Sequence, residues 1–204
     1  FTRGFLIVGF PNETVGQIRH TVELAKRMNL DWYTVQLLTP LPNTEIHQEM
    51  VDLGLIAENE LNTEGDGFTM FSVREGERQR RREAHLKDKA PPFFDFSTQP
   101  ADHIPSKIEL NDVWLSADFA INYGRINTME DRQKLRKIAH FLTDIADRMT
   151  LDHPLANHFL ARIHSRLDTT SKASDRAQRV KHVLKNSKYW RDRFSRLGLS
   201  VEAN

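Results

Sequence analysis

The chain contains no cysteine. Disulfides, thiolate metal ligands and a cysteine nucleophile are therefore excluded within its 204 residues. It has no run of ~18 apolar residues, so no stretch reads as a membrane span. An excess of one charge is missing as well: 29 Lys and Arg stand against 28 Asp and Glu, a balance of +1. That balance gives no reason to expect nucleic acid as a partner. Hydrophobic residues make up 39%, charged residues 28%, and the mean hydropathy is -0.57, the composition of a strongly solvated protein. The sequence opens on Phe1 with neither an initiator Met nor the charged and apolar regions of a signal peptide. The expectation is a piece of a longer, cytoplasmic protein of one or two domains.

Regular patterning is confined to the two ends of the chain. Residues 5–10 are apolar apart from Gly9, the pattern of a strand buried on both faces of a parallel sheet. Pro11 ends it, and from Thr14 the residues Val15, Ile18, Val22, Ala25 and Met28 recur at helical spacing, closed by Lys26, Arg27 and Asn29. A second strand is predicted over 33–38 and a second helix over 44–53, stopping at Gly54. Strand, helix, strand, helix with short connections is a βαβ pattern.

Between residues 56 and 112 the periodicity disappears. EGERQRRREAHLKDK (75–89) is densely charged, and APPFFDFSTQP (90–100) carries three prolines and three phenylalanines. A segment of this length is either an excursion across a site or a connector. VWLSADFAINYG (113–124) concentrates aromatic and apolar residues and is expected to hold one short strand. The last third reads as a helical cluster. One helix is capped by Thr128 and Asp131 and carries Leu135, Ile138, Leu142, Ile145 and Met149. Another starts at Asp152 and Pro154, with Leu155, Phe159, Leu160, Ile163 and Leu167 inward. A third runs from about Ser174 to Gly198 with Ala177, Val180, Leu184, Trp190 and Phe194 inward. The expected division is 1–56, 57–124 and 125–204.

The two strand-to-helix junctions repeat each other. Each runs from an apolar stretch into Pro-Asn and then Thr and an acid: Pro11, Asn12, Glu13 and Thr14 in the first, Thr39, Pro40, Pro42, Asn43, Thr44 and Glu45 in the second. A parallel strand releases its chain at the carboxyl edge of the sheet, where the next helix starts with unpaired N–H groups and a positive dipole end, and ligands of α/β folds collect there. Gly9 permits close approach to the backbone, and asparagine readily takes the left-handed conformation. On spacing alone the pairs read equally well as inert turns.

GFLIVGFPNET (4–14) followed by LLTPLPNTEIHQEMVDLGLI (37–56) resembles the late barrel strands of radical S-adenosylmethionine enzymes, especially the cobalamin-binding subclass, which carry Gly-Phe-Pro-Gly-Glu-Thr and Thr-Pro-x-Pro-Gly-Thr in this order. The match covers about residues 4–56, and Asn12 and Asn43 stand where the family has glycine. The resemblance implies the last βα units of a partial (β/α) TIM-like barrel, followed by an irregular segment and a C-terminal α-helical cluster. It also implies that Gly9, Pro11, Asn12, Glu13 and Thr14 lie beside S-adenosylmethionine, and that Leu38, Thr39 and Pro40 flank its adenine. The parent would cleave this cofactor at a [4Fe-4S] cluster, with cobalamin carried by an upstream domain, for methyl transfer or radical rearrangement of a small-molecule substrate. The family's Cys-x3-Cys-x2-Cys loop is absent here, so its thiolates and the first barrel strands would belong to an upstream part of the same enzyme. This chain alone would then be inactive. The other class of reading is a non-catalytic helical interaction module over 128–198 attached to a βαβ remnant.

Other residue groups carry weaker signals. His153, His158 and His164 are offset by five and six residues and fall on different faces of a helix, which argues against a metal site, and His140 reads as a rim residue. Arg78, Arg80, Arg81 and Arg82 interleave with Glu75, Glu77 and Glu83, as on a solvated helix. PPFFDF reads as a hydrophobic clip or a channel lining, and Asn12-Glu13-Thr14 as a chance glycosylation match on a buried turn.

Overall fold

The structure, a computed structural model, describes residues 1–56 and 91–200. The charged run 75–89 lies outside the described residues. The chain divides into two compact units. Among the described residues, one comprises 2–56 with 94–122, and the other Phe1, 91–93 and 123–200. The fold is mixed α/β and mostly helical.

The first unit holds β1 (Arg3–Val8), α1 (Val15–Met28), β2 (Trp32–Leu37), α2 (Glu45–Asp52) and α3 (Glu109–Asp118), the last running on into a π-helical turn from Phe119. The strands pair in parallel with Arg3 beside Trp32 and Val8 beside Leu37, and among the described residues they form a sheet of two strands. The βαβ unit stands as predicted, whereas a barrel is not established by two strands.

Burial along β1 alternates, with Leu6 and Val8 turned inward and Phe5 (51% exposed) and Ile7 (44%) outward. The expectation of a strand buried on both faces is corrected. A continuous apolar run does not require two-sided burial; the packed face is set by which helices lie on it. Here the core joins Val8, Val15, Ile18, Val22, Tyr33, Val35, Phe94, Phe96, Val113 and Ile121. Tyr33 locks the end of α1 to the sheet: its hydroxyl donates to Ala25 O (2.6 Å) and accepts from Leu30 N (2.9 Å). Asn29 then leaves the helix at φ 48.

Residues 113–124 contain no strand; they continue from α3 through the π turn Phe119–Tyr123 into α4 (Gly124–Ile126). Val113, Ala117 and Ile121 form the helical stripe, but Leu115 is buried as well, and a helix covered on more than one face loses the polar gaps that reveal its period. Of PPFFDF, Phe94 and Phe96 are buried in the core, in keeping with a clip.

The second unit contains α5 (Arg132–Asp144), a π turn (Ile145–Met149), α6 (Pro154–Arg166), α7 (Thr170–Asn186) and α8 (Lys188–Arg196). Asp131 is itself the cap of α5, accepting from Gln133 N and Lys134 N, while the Thr128 hydroxyl donates to Arg125 O, so the expected Thr128–Asp131 capping box is not formed. Leu135, Ile138 and Leu142 are buried as predicted; the wider π turn then shifts the stripe so that Ala146, not Ile145, is buried. His153 rather than Asp152 caps α6, because Asp152 takes φ 59 and only the next residue can point its side chain at Ala156 N. The predicted third helix is two. Ser187 leaves helical geometry (ψ 111) and its hydroxyl accepts from Trp190 N, ending α7 and capping α8.

Candidate functional site

The carboxyl edge of the sheet is where the predicted site residues meet. Leu38 N donates to Val8 O (2.9 Å), so the two junctions leave the sheet side by side. Asn12 (φ 60) and Asn43 (φ 66) both occupy the left-handed region that glycine or asparagine tolerates best, and Gly9 stands at φ 87. Asn12 is exposed, which corrects the reading of its sequon as buried.

In the first junction the polar side chains bind the turn itself. Glu13 Oε2 accepts from Gly9 N (2.5 Å) and Phe10 N (3.2 Å), while Glu13 N donates to Phe10 O (3.0 Å). Thr14 caps α1 in a capping box with Gln17: its hydroxyl accepts from Gln17 N, and Gln17 Oε1 accepts from Thr14 N (2.8 Å). In the second junction Thr44 caps α2, accepting from His47 N and donating to Leu41 O (2.6 Å). Pro40 is buried, Leu38 half-buried and Thr39 exposed; Thr39 makes no side-chain hydrogen bond among the described residues.

The start of α1 is not open to a ligand. Val15 N donates to His103 O and Gly16 N to Ala101 O, each at 2.8 Å, so the amides that would attract an anion are satisfied by the chain's own carbonyls. The segment carrying them is anchored at several points. Arg19 donates to Phe96 O and Gln99 O, Phe94 N donates to the buried Asp112 carboxylate (3.0 Å), and Glu109 Oε2 accepts from Ser106 N (2.7 Å) with His103 Nε2 at 3.3 Å. Partial burial opposes ionisation of Glu109, but the Ser106 amide and hydroxyl and the His103 ring hold its carboxyl below the usual range. The group that approaches Gly9 closely is also internal: a Cβ there would lie 3.1 Å from the Leu110 side chain.

Sequence reasoning missed Gly16, Arg19, Ala101, His103 and Leu110. Gly16 carried a signal, since glycine in a first helical turn is costly unless something must approach it. The partners in 101–110 carried none, because they lie in a stretch without periodicity. Histidine has structural roles elsewhere: His153 Nδ1 accepts from Ala156 N, His158 packs edge-on to Phe159 and Phe194, and His164 Nδ1 meets Thr169 Oγ1. No group of three or more metal-ligating side chains occurs among the described residues, and none of their helices is long and apolar enough to cross a membrane. Comparison with known proteins finds no match to this chain, whether family model, curated protein or solved structure.

Proposed function

We propose that this chain is the late-barrel part of a radical S-adenosylmethionine enzyme and contributes the nucleoside-facing edge of its barrel. The observation that carries the reading is the pairing of the two Pro-Asn turns at one carboxyl edge, each with asparagine at positive φ where the resembled family uses glycine. The covered outer edge of β2, where Trp114 Nε1 donates to Val35 O (2.8 Å), favours β2 as the terminal strand of an open barrel.

The roles of the site residues narrow accordingly. Glu13 and Thr14 shape the first turn, because their polar atoms are already engaged within it. Gly9, Pro11 and Asn12 set its path. Leu38, Thr39 and Pro40 are left to flank a flat, partly apolar nucleoside, with Thr39 exposed and the half-buried Leu38 beside it. This donor set suits an adenine better than an anion, since the helix-start amides are occupied. With no cysteine here, the thiolates for a [4Fe-4S] cluster, and any cobalamin site, would come from other parts of a longer protein. The cluster, when bound, supplies the electron that cleaves the sulfonium.

The test is binding of S-adenosylhomocysteine to the full chain by equilibrium dialysis. Saturable binding is expected, weakened about tenfold or more by Thr39→Trp, which blocks the edge at an exposed position, and unchanged by Leu24→Ser on the exposed face of α1. Absence of saturable binding, or indifference to Thr39→Trp, overturns the reading.

A further inference from the structure

The near-zero charge of the whole chain hides two opposed regions. Residues 123–200 carry 17 Lys and Arg against 8 Asp and Glu, whereas residues 1–122 carry 12 against 19. The excess of cations therefore belongs to the helical unit, and within it to one stretch. From Arg176 to Arg191, across the second half of α7 and the start of α8, six Lys and Arg occur with no Asp or Glu between them.

Two of the six are engaged by acids elsewhere: Arg176 is held by Asp147, and Arg179 by Asp147, Asp152 and Asp175. Arg191 has a different task. Its Nη1 donates to Leu184 O (2.7 Å) and Lys185 O (2.9 Å), so a cation covers the carbonyl end of α7 and fastens α8 against it at the Ser187 corner. Lys181 and Lys185, one turn apart on α7, and Lys188, the first residue of α8, remain. All three are exposed, and none has an acidic partner among the described residues. The next acid, Asp192, lies against Arg193 and Arg196. With the negative end of α7 met by Arg191, the corner presents a surface of one charge.

What such a surface can hold follows from what it lacks. Tyr189 and Trp190 are 5% and 4% exposed, so no aromatic face is offered for base stacking or as the anchor of a protein interface. Among the described residues of α7 and α8 no large apolar side chain is exposed that could enter a bilayer. Long ammonium side chains without an apolar centre match a regular array of negative charges, and the phosphate backbone of a duplex is such an array. We propose that the α7–α8 corner, through Lys181, Lys185, Lys188 and Arg191, docks the phosphate backbone of duplex nucleic acid without reading its sequence. The surface lies wholly within the helical unit and needs nothing from the sheet edge.

The test is fluorescence anisotropy of labelled duplexes of about 20 base pairs, DNA in one arm and RNA in the other, titrated with the full chain at about 50 and about 200 mM salt. Binding of at least one duplex is expected, indifferent to its sequence and weaker by about tenfold or more at the higher salt. Lys181→Gln, Lys185→Gln and Lys188→Gln together are expected to reduce affinity about tenfold or more and to lower the slope of log affinity against log salt by about 2–3. Lys26→Gln, at an exposed cation of α1, is expected to leave both unchanged. Absence of binding to both duplexes, a triple variant that binds as the wild type does, or an equal loss in Lys26→Gln overturns the proposal. Displacement of the duplex by polyglutamate at equal charge concentration, or tighter capture of the chain by phosphatidylserine vesicles, overturns it in favour of an acidic protein or a membrane.

Discussion

Gly16 and Ala101 meet backbone to backbone: the amide of Gly16, in the first turn of α1, donates to the carbonyl of Ala101 at 2.8 Å. A Cβ on Gly16 would lie 2.9 Å from that oxygen and 3.3 Å from the Ala101 Cβ. The contact satisfies an orphan helix amide and fixes the segment that covers the helix start.

Gly16→Ala therefore reverses the usual sign of such a change. In an unencumbered helix the alanine would gain up to ~1 kcal/mol. Here the methyl pushes against a backbone carbonyl, and a net loss of about 1–3 kcal/mol is expected in urea denaturation. A stabilised variant would mean that the 94–109 segment does not rest on α1.

At the Pro-Asn turns, glycine is expected to serve as well as asparagine. Asn12→Gly and Asn43→Gly should change stability by no more than about 0.5 kcal/mol, since glycine adopts positive φ without strain. Asn12→Val and Asn43→Val should each cost about 1–2 kcal/mol, because a β-branched residue is an outlier there. Thermal denaturation of the four variants separates the two cases.

His153 and His158 give the helical unit an acid limit. Burial pushes both down to about 4, aided at His158 by the nearby Arg162 charge, so they are neutral in the folded state near neutral pH. The unfolded chain takes up protons at about 6.5, so the stability of the neutral fold is complete above that pH and declines as pH falls toward about 4. A loss on the order of 2 kcal/mol per histidine is expected by about pH 5. His158→Gln should flatten the dependence of the thermal midpoint on pH between these limits.

The ion pair of Arg176 and Asp147 is a bidentate contact with a third partner. Arg176 Nη1 and Nη2 donate to Asp147 Oδ1 (2.5 Å) and Oδ2 (2.7 Å), and Nη1 also donates to Asn157 Oδ1 (3.0 Å). Asn157 is fully buried, so Arg176→Ala leaves its carbonyl without that donor and should cost about 2–3 kcal/mol in urea denaturation. Arg176→Lys should restore only part, because an ammonium cannot reproduce the planar fork. Full recovery with lysine would reduce the site to simple charge pairing.

What the sequence determined by itself is local. The stripe of α1 from Val15 to Ala25 and the left-handed asparagines follow from side chains acting within a turn or two of their own backbone, and they stand where the residues placed them, whereas Met28, predicted on the same stripe, is 51% exposed in the last turn. The two parallel strands followed from apolar runs separated by one helix. Tertiary structure alone decided which face of β1 is covered, since Phe5 and Leu6 are equally apolar and only the packed helices distinguish them. It made residues 113–124 helical by burying more than one face of the element, which erases the period that would have declared it. It also closed the candidate site's helix start with Ala101 and His103, and the edge of β2 with Asn122. Those partners are distant in sequence, and a backbone carbonyl or a single amide leaves no pattern by which its destination can be read.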